Sequence, residues 1–184
     1  MTEAAEKYFN RVYPKGEFKL ASTDPEFADF FANFSCDEVV KQDDLDDHTR
    51  MMAILAALLG CQGVDEFREI LPGAMNLGVT PVEVKEIVYQ ACAYLGIGRV
   101  RPFFDVVNEV LTEKGIALPL EGQATTTIED RVEKGEQVQV DIFGEGMKGF
   151  AASGPEESRH INSWLSGNCF GDYYTRRGLD LKER

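Results

Sequence analysis

Thiols, imidazoles, carboxylates and guanidinium groups are the side chains of this chain able to do chemistry, and their spacing narrows what that chemistry is. Cys36, Cys61, Cys92 and Cys169 stand far apart and form no Cys-x-x-Cys pair, so they read as reduced thiols. Only His48 and His160 offer an imidazole, and no group of cysteine, histidine and carboxylate has zinc-ligand spacing, so neither a metal nor another cofactor is expected. Arg99 with Arg101, and Arg176 with Arg177, are two places able to hold an anion. The plainer reading of each pair is a solvated surface.

The elements that would position such groups are helical. Thr80 caps a helix with Pro81 at its first position and Glu83 three residues after the cap, and Val84, Ile87, Val88, Ala91 and Leu95 follow at helical spacing. Gly96 and Gly98 end it. The acid run Asp43 to Asp47 opens a second helix that runs to about Gly60, with Ala53, Ala56, Ala57 and Gly60 leaving room for a close neighbour. A third is expected from Val64 to about Leu77, kinked or broken at Pro72. A fourth runs from Pro102 to Lys114, stopped by Gly115. Near Thr23 or Asp24 another begins, and its Phe27, Phe30, Phe31 and Phe34 read as a core face. Tyr8, Phe9, Val12, Tyr13 and Phe18 form an aromatic arm in which Pro14 and Gly16 interrupt any helix.

The organisation expected is an all-α helical bundle: an arm over residues 1–21, a helical unit over 22–117, a connector over 118–153 and a tail over 154–184. In the connector a short helix capped by Thr126 or Thr127 reaches Glu133, and VQVDIF reads as an extended piece. The tail becomes helical again, with Ile161, Trp164 and Leu165 as its apolar side. Leu179, Asp180 and Arg184 repeat the spacing of Leu45, Asp46 and Arg50, and on that repeat the chain stops where a second long apolar helix would begin.

Composition excludes some partners. A hydrophobic fraction of 43% is that of a globular chain. The net charge of -13 disfavours nucleic acid and anionic membrane. The apolar run Met51 to Cys61 is well short of the roughly 20 residues of a membrane span, and the polar, acidic start lacks the pattern of a signal peptide. A cytoplasmic protein is expected.

Residues Ala74-Met75-Asn76-Leu77-Gly78-Val79-Thr80, Glu83, Lys85-Glu86 and Tyr94-x-Gly96, within a unit from Leu45 to Leu111, resemble the carboxymuconolactone decarboxylase family and its wider alkyl hydroperoxidase D-like group. Phe170 to Arg176 with Gly178-Leu179-Asp180 resembles the opening of the second unit in two-unit members. The resemblance implies a helical bundle that assembles as a homo-oligomer, a trimer or hexamer, and a small organic acid or lactone as partner.

Its catalytic groups carry over poorly. Hydroperoxidase-type members place a Cys-x-x-Cys pair ahead of a histidine, with a glutamate on the preceding helix, so that one sulfur is kept as thiolate. Counted from Gly78, the cysteine positions are Gly63 and Glu66, the histidine position is Ile70 and the glutamate position is Met51. Dithiol peroxide chemistry therefore has no residues here, and Cys61 nearby reads as a buried small hydrophobe. Decarboxylation of a lactone carboxylate needs a group to orient the anion, stabilisation of developing charge and a proton donor. Arg50 or Arg68 could orient, and Glu66 or Tyr94 could exchange a proton. The plainer reading makes Glu66 and Arg68 surface residues, packs Tyr94 in the core and pairs Arg50 with an aspartate of the acid run. Two functions follow: a decarboxylase-type enzyme acting on a cyclic carboxylated compound, or an oligomeric binding or structural subunit with a degenerate site.

Overall fold

The computed structural model describes residues 1–14, 18–42 and 44–184. Gly16 and Asp43, to which the sequence assigns a helix break and the start of the acid run, lie outside them. Among the described residues the structure is all-α, with no strand.

Four helices make the body: α4 (Asp47–Cys61), α5 (Val64–Asn76), α6 (Pro81–Leu95) and α7 (Ile97–Glu113), preceded by α1 (Glu3–Val12), α2 (Leu20–Thr23) and α3 (Pro25–Asn33). The start of α6 is the expected capping box. The Thr80 hydroxyl accepts from the Glu83 N–H at 3.3 Å, and a Glu83 carboxylate oxygen accepts from the Thr80 N–H at 2.7 Å. The other Glu83 oxygen meets His48 Nε2 at 3.1 Å, which ties the first turn of α4 to that of α6. Asp46 caps α4 through the Thr49 N–H at 2.8 Å, and Gln62 ends it in the left-handed region at φ 63°.

The core is where the apolar stripes of these four helices meet. Met51, Leu55 and Leu59 of α4, Phe67 and Leu71 of α5, Val84 and Val88 of α6, and Val100, Phe103 and Val107 of α7 are all buried in one cluster. Phe67 and Phe103 pack edge to face with centroids 5.1 Å apart. Pro72 does not break α5, which runs through it to Asn76. Helix α7 begins five residues before the expected Pro102, directly after Gly96, whose φ of 78° turns the chain between the two helices.

Several expectations are corrected. The buried residues of α3 are Ala28 and Ala32, whereas Phe27, Phe30 and Phe34 are exposed. Small side chains let α3 lie close to its neighbours, so these three phenylalanines are left outside, while Phe31 packs against the core and stacks on Phe18. VQVDIF is not extended: it is the second half of α8 (Arg131–Phe143). This helix lies against a π-helical segment, Leu165–Tyr174, that follows α9 (Arg159–Trp164). Gly135 and Gly171 allow that contact, since a Cβ on either would overlap backbone of the facing segment. Arg131 also bridges to Asp172 at 2.6 Å. Ile161, Trp164 and Leu165 are exposed rather than a packed side.

Helix α1 is seated on α5 at Gly73, where an added Cβ would overlap the Val12 carbonyl. No helix among the described residues is long and apolar enough to cross a membrane. Gly73→Ala should therefore push α1 off α5 and destabilise the protein by about 1–3 kcal/mol, the usual cost of overpacking, read as a lowered urea midpoint at unchanged slope.

Candidate functional site

Where α1 and α3 close over α4 and α5 they leave a cavity of about 410 Å³. Most of its wall is apolar or aromatic, including Phe18, Phe31, Met51, Ile54 and Ile70. Two sets of polar groups are part of its lining. In one, the Tyr13 hydroxyl donates a hydrogen bond to a Glu66 carboxylate oxygen. In the other, Arg50 Nη1 donates to the Tyr8 hydroxyl at 3.2 Å and to Asp47 at 3.1 Å, while its Nη2 donates to the Leu45 carbonyl at 2.7 Å.

Each group is held there by a legible cause. Arg50 follows the Asp46 cap by one helical turn, so it rises from the first turns of α4 beside the arm. Asp47 is shared: Arg11 Nη2 reaches its second oxygen at 2.5 Å. Two guanidinium groups on one carboxylate leave a net positive charge on this wall. Glu66 lies in the first turn of α5, and Tyr13 reaches it because the Gly73 contact brings the end of α1 over that helix.

The four residues singled out for chemistry part company here. Arg50 and Glu66 line the same cavity. Glu66 is half-buried and hydrogen-bonded rather than a plain surface residue, because the arm covers it. Arg68, two residues on and so on the other side of the helix, faces outward and pairs with Glu109 of α7. Tyr94 is not in the core: it is 61% exposed, pairs its hydroxyl with that of Tyr174 at 2.6 Å, and walls a different cavity. Tyr13 and Tyr8 escape the sequence reading, since a tyrosine in an arm carries no motif. The one signal was the density of aromatic residues before Pro14.

Comparison with known proteins bears on this arrangement. The model of the carboxymuconolactone decarboxylase family matches residues 25–109. A 4-carboxymuconolactone decarboxylase of Acinetobacter baylyi is 31% identical over 112 residues, which is 61% of this chain and 81% of that protein. The chain belongs to the carboxymuconolactone decarboxylase family. No solved structure matches it. Of the positions at which the hydroperoxidase-type motif falls in the register from Gly78, Met51, Glu66 and Ile70 all line the cavity under the arm. Three positions spread over two helices thus converge on one space.

The cysteines do not supply a nucleophile to it. Cys36 lines the cavity, but burial pushes its thiol up, away from thiolate, and burial does the same to Cys92 and Cys169. Cys61 is exposed at the end of α4, not the buried small residue expected, because α4 runs past the core before Gln62 turns it. No group of three or more potential metal ligands occurs among the described residues.

Burial first, and the Glu66 carboxylate second, push the Tyr13 phenol far above its ordinary value. The folded protein keeps that proton while the unfolded chain gives it up near pH 10. Stability supported by Tyr13 is thus complete below about pH 10 and is lost as pH rises above it. Urea midpoints measured from pH 8 upward should fall above about pH 10, and fall less steeply in Tyr13→Phe, which has no proton to lose there.

Proposed function

We propose that this family member is a carbon–carbon lyase of decarboxylase type acting on a cyclic carboxylated compound bound in the cavity under the arm. The observation that carries the reading is that the hydrogen-bonded pair Tyr13–Glu66 and Arg50 line one largely apolar cavity. The roles follow from the chemistry of the loss. The substrate carboxylate lies toward Arg50, whose wall carries the excess positive charge of two guanidinium groups on Asp47. As the carbon–carbon bond breaks, its electron pair passes into the unsaturated ring and carbon dioxide leaves. The apolar wall makes each remaining electrostatic contact stronger than in water. A proton drawn from solvent then passes through the Glu66 carboxyl group to the carbon left behind. Tyr13 stays protonated throughout, because burial and Glu66 oppose its ionisation, so it acts by positioning that carboxyl.

The name of the Acinetobacter relative makes 4-carboxymuconolactone the first substrate to test. In this reading the protein works as a homo-oligomer in the cytoplasm. A subunit without chemistry is the weaker reading, because Glu66 and Arg50 are gathered at one cavity instead of scattered over the surface. Peroxide reduction by a dithiol is outside this site's means, with Gly63 and Glu66 at the two cysteine positions.

Steady-state turnover of 4-carboxymuconolactone, followed as carbon dioxide release, is expected from the purified chain. Glu66→Gln should lower kcat on the order of 10²-fold, the usual weight of a general acid. Tyr13→Phe should lower it less, and Arg68→Ala, which touches only Glu109, should leave it unchanged. Release no faster than in buffer would remove this substrate. Full activity in Glu66→Gln would remove the mechanism.

A further inference from the structure

On the opposite flank of α4 lies a second cavity, of about 500 Å³, between α4, α6 and the segment Leu179–Arg184. Met52, Leu59, Ile87 and Leu179 give it an apolar floor, and all four are buried. Two of the polar side chains that line it are buried. The Arg184 side chain is 1% exposed and Gln90 is 7% exposed. Arg184 Nη1 donates to Gln90 Oε1 at 3.0 Å, and Nη2 donates to the Arg176 carbonyl at 2.6 Å. That bond fixes the amide orientation, with its oxygen toward the guanidinium and its NH₂ turned away. Arg184 Nε and Gln90 Nε2 are both buried without a hydrogen-bond partner. The Tyr94 hydroxyl is near enough for the amide to oppose the rise that burial imposes on its pKa, but not in bonding geometry.

Buried N–H groups left unpaired are costly and rare, and here two of them belong to side chains that line one cavity. The charges point the same way. Glu86, 1% exposed, is already held by Arg176 through contacts of 2.8–3.0 Å, with Arg184 farther off at 3.8 Å. One carboxylate therefore faces two guanidinium groups, and a positive charge remains beneath the cavity. At the rim, Asp180 and Glu183 each accept from the other's backbone N–H, at 2.9 and 2.8 Å, in an exposed turn that also carries Lys182, and Glu183 offsets part of the Arg184 charge.

We infer that this second cavity binds a small organic monoanion, a carboxylate on an apolar body, with its oxygens accepting from Arg184 Nε and Gln90 Nε2. The apolar body covers Met52, Ile87 and Leu179. The acids at the rim disfavour a second negative charge on the ligand.

Calorimetric titration with benzoate tests this, with benzamide as the uncharged control of equal shape. Benzoate should bind saturably, one per chain, and benzamide about tenfold more weakly or worse. Gln90→Glu is close to isosteric and faces Arg184, so it keeps the fold while placing a carboxylate in the ligand's way. It should weaken benzoate about tenfold or more, as should Arg184→Gln, with circular dichroism and urea midpoints confirming that both variants fold. No benzoate binding, equal binding of benzamide, or wild-type affinity in both folded variants would each overturn the inference. So would an assembly in which this face lies between copies and takes up no benzoate. Turnover plays no part in the readout, so the result stands apart from the decarboxylase reading.

Discussion

The Glu86 carboxylate decides where the tail of this protein goes. A carboxylate 1% exposed on the inward side of α6 cannot stay charged without partners, because desolvating an ion costs several kcal/mol. Arg176 meets it with two nitrogens, and the chain then passes so close that a Cβ at Gly178 would overlap the Glu86 side chain. Leu179 can then enter the core beside α6, and Arg184 comes to rest on Gln90 one turn further along that helix. Without the buried acid, Arg176 and Arg184 would lose the carboxylate they share beside the second cavity.

Much of the helical body was legible because its signals are local. The capping box at Thr80, the acidic start of α4 and the apolar stripes of α6 and α7 depend on neighbours three or four residues away, which a sequence displays directly. What could not be read depends on distant partners. The alanines of α3 are its buried side because neighbouring segments, α1 among them, lie against that helix, and no periodicity distinguishes a phenylalanine stripe facing a core from one flanking a cavity. The run VQVDIF alternates well enough for a strand, yet it is helical because Gly135 lets α8 lie backbone to backbone on the segment after Trp164.

The same division holds at the candidate site. Glu66 and Arg50 could be picked out because chemistry needs an acid and a cation in a helical unit of this family. Arg68 was equally eligible by type, and helix geometry sent it to Glu109. Tyr13 was out of reach: its importance comes from the close approach of α1 to α5 at Gly73, a contact between residues far apart in the chain. The tyrosine and the glutamate are each ordinary; only their meeting under the arm gives them a joint role.

The repeated pattern shows how one local frame can serve two ends. Asp46 accepts from the N–H three residues on, at 2.8 Å, and Asp180 does the same at 2.9 Å. The backbone N–H groups of Arg50 and Arg184 donate to the Asp46 and Asp180 carbonyls, at 3.0 and 3.2 Å. Both turns thus present an arginine four residues after a capping aspartate. They differ at the three positions between cap and arginine: Asp47, His48 and Thr49 in the first turn, Leu181, Lys182 and Glu183 in the other. Arg50 therefore finds its counter-charge on its own helix and is fixed beside the arm. Arg184 has no such neighbour and turns its charge into the body of the protein, toward Gln90 and the already occupied Glu86. One local frame thus sends one arginine to the cavity under the arm and the other to the cavity between α4 and α6.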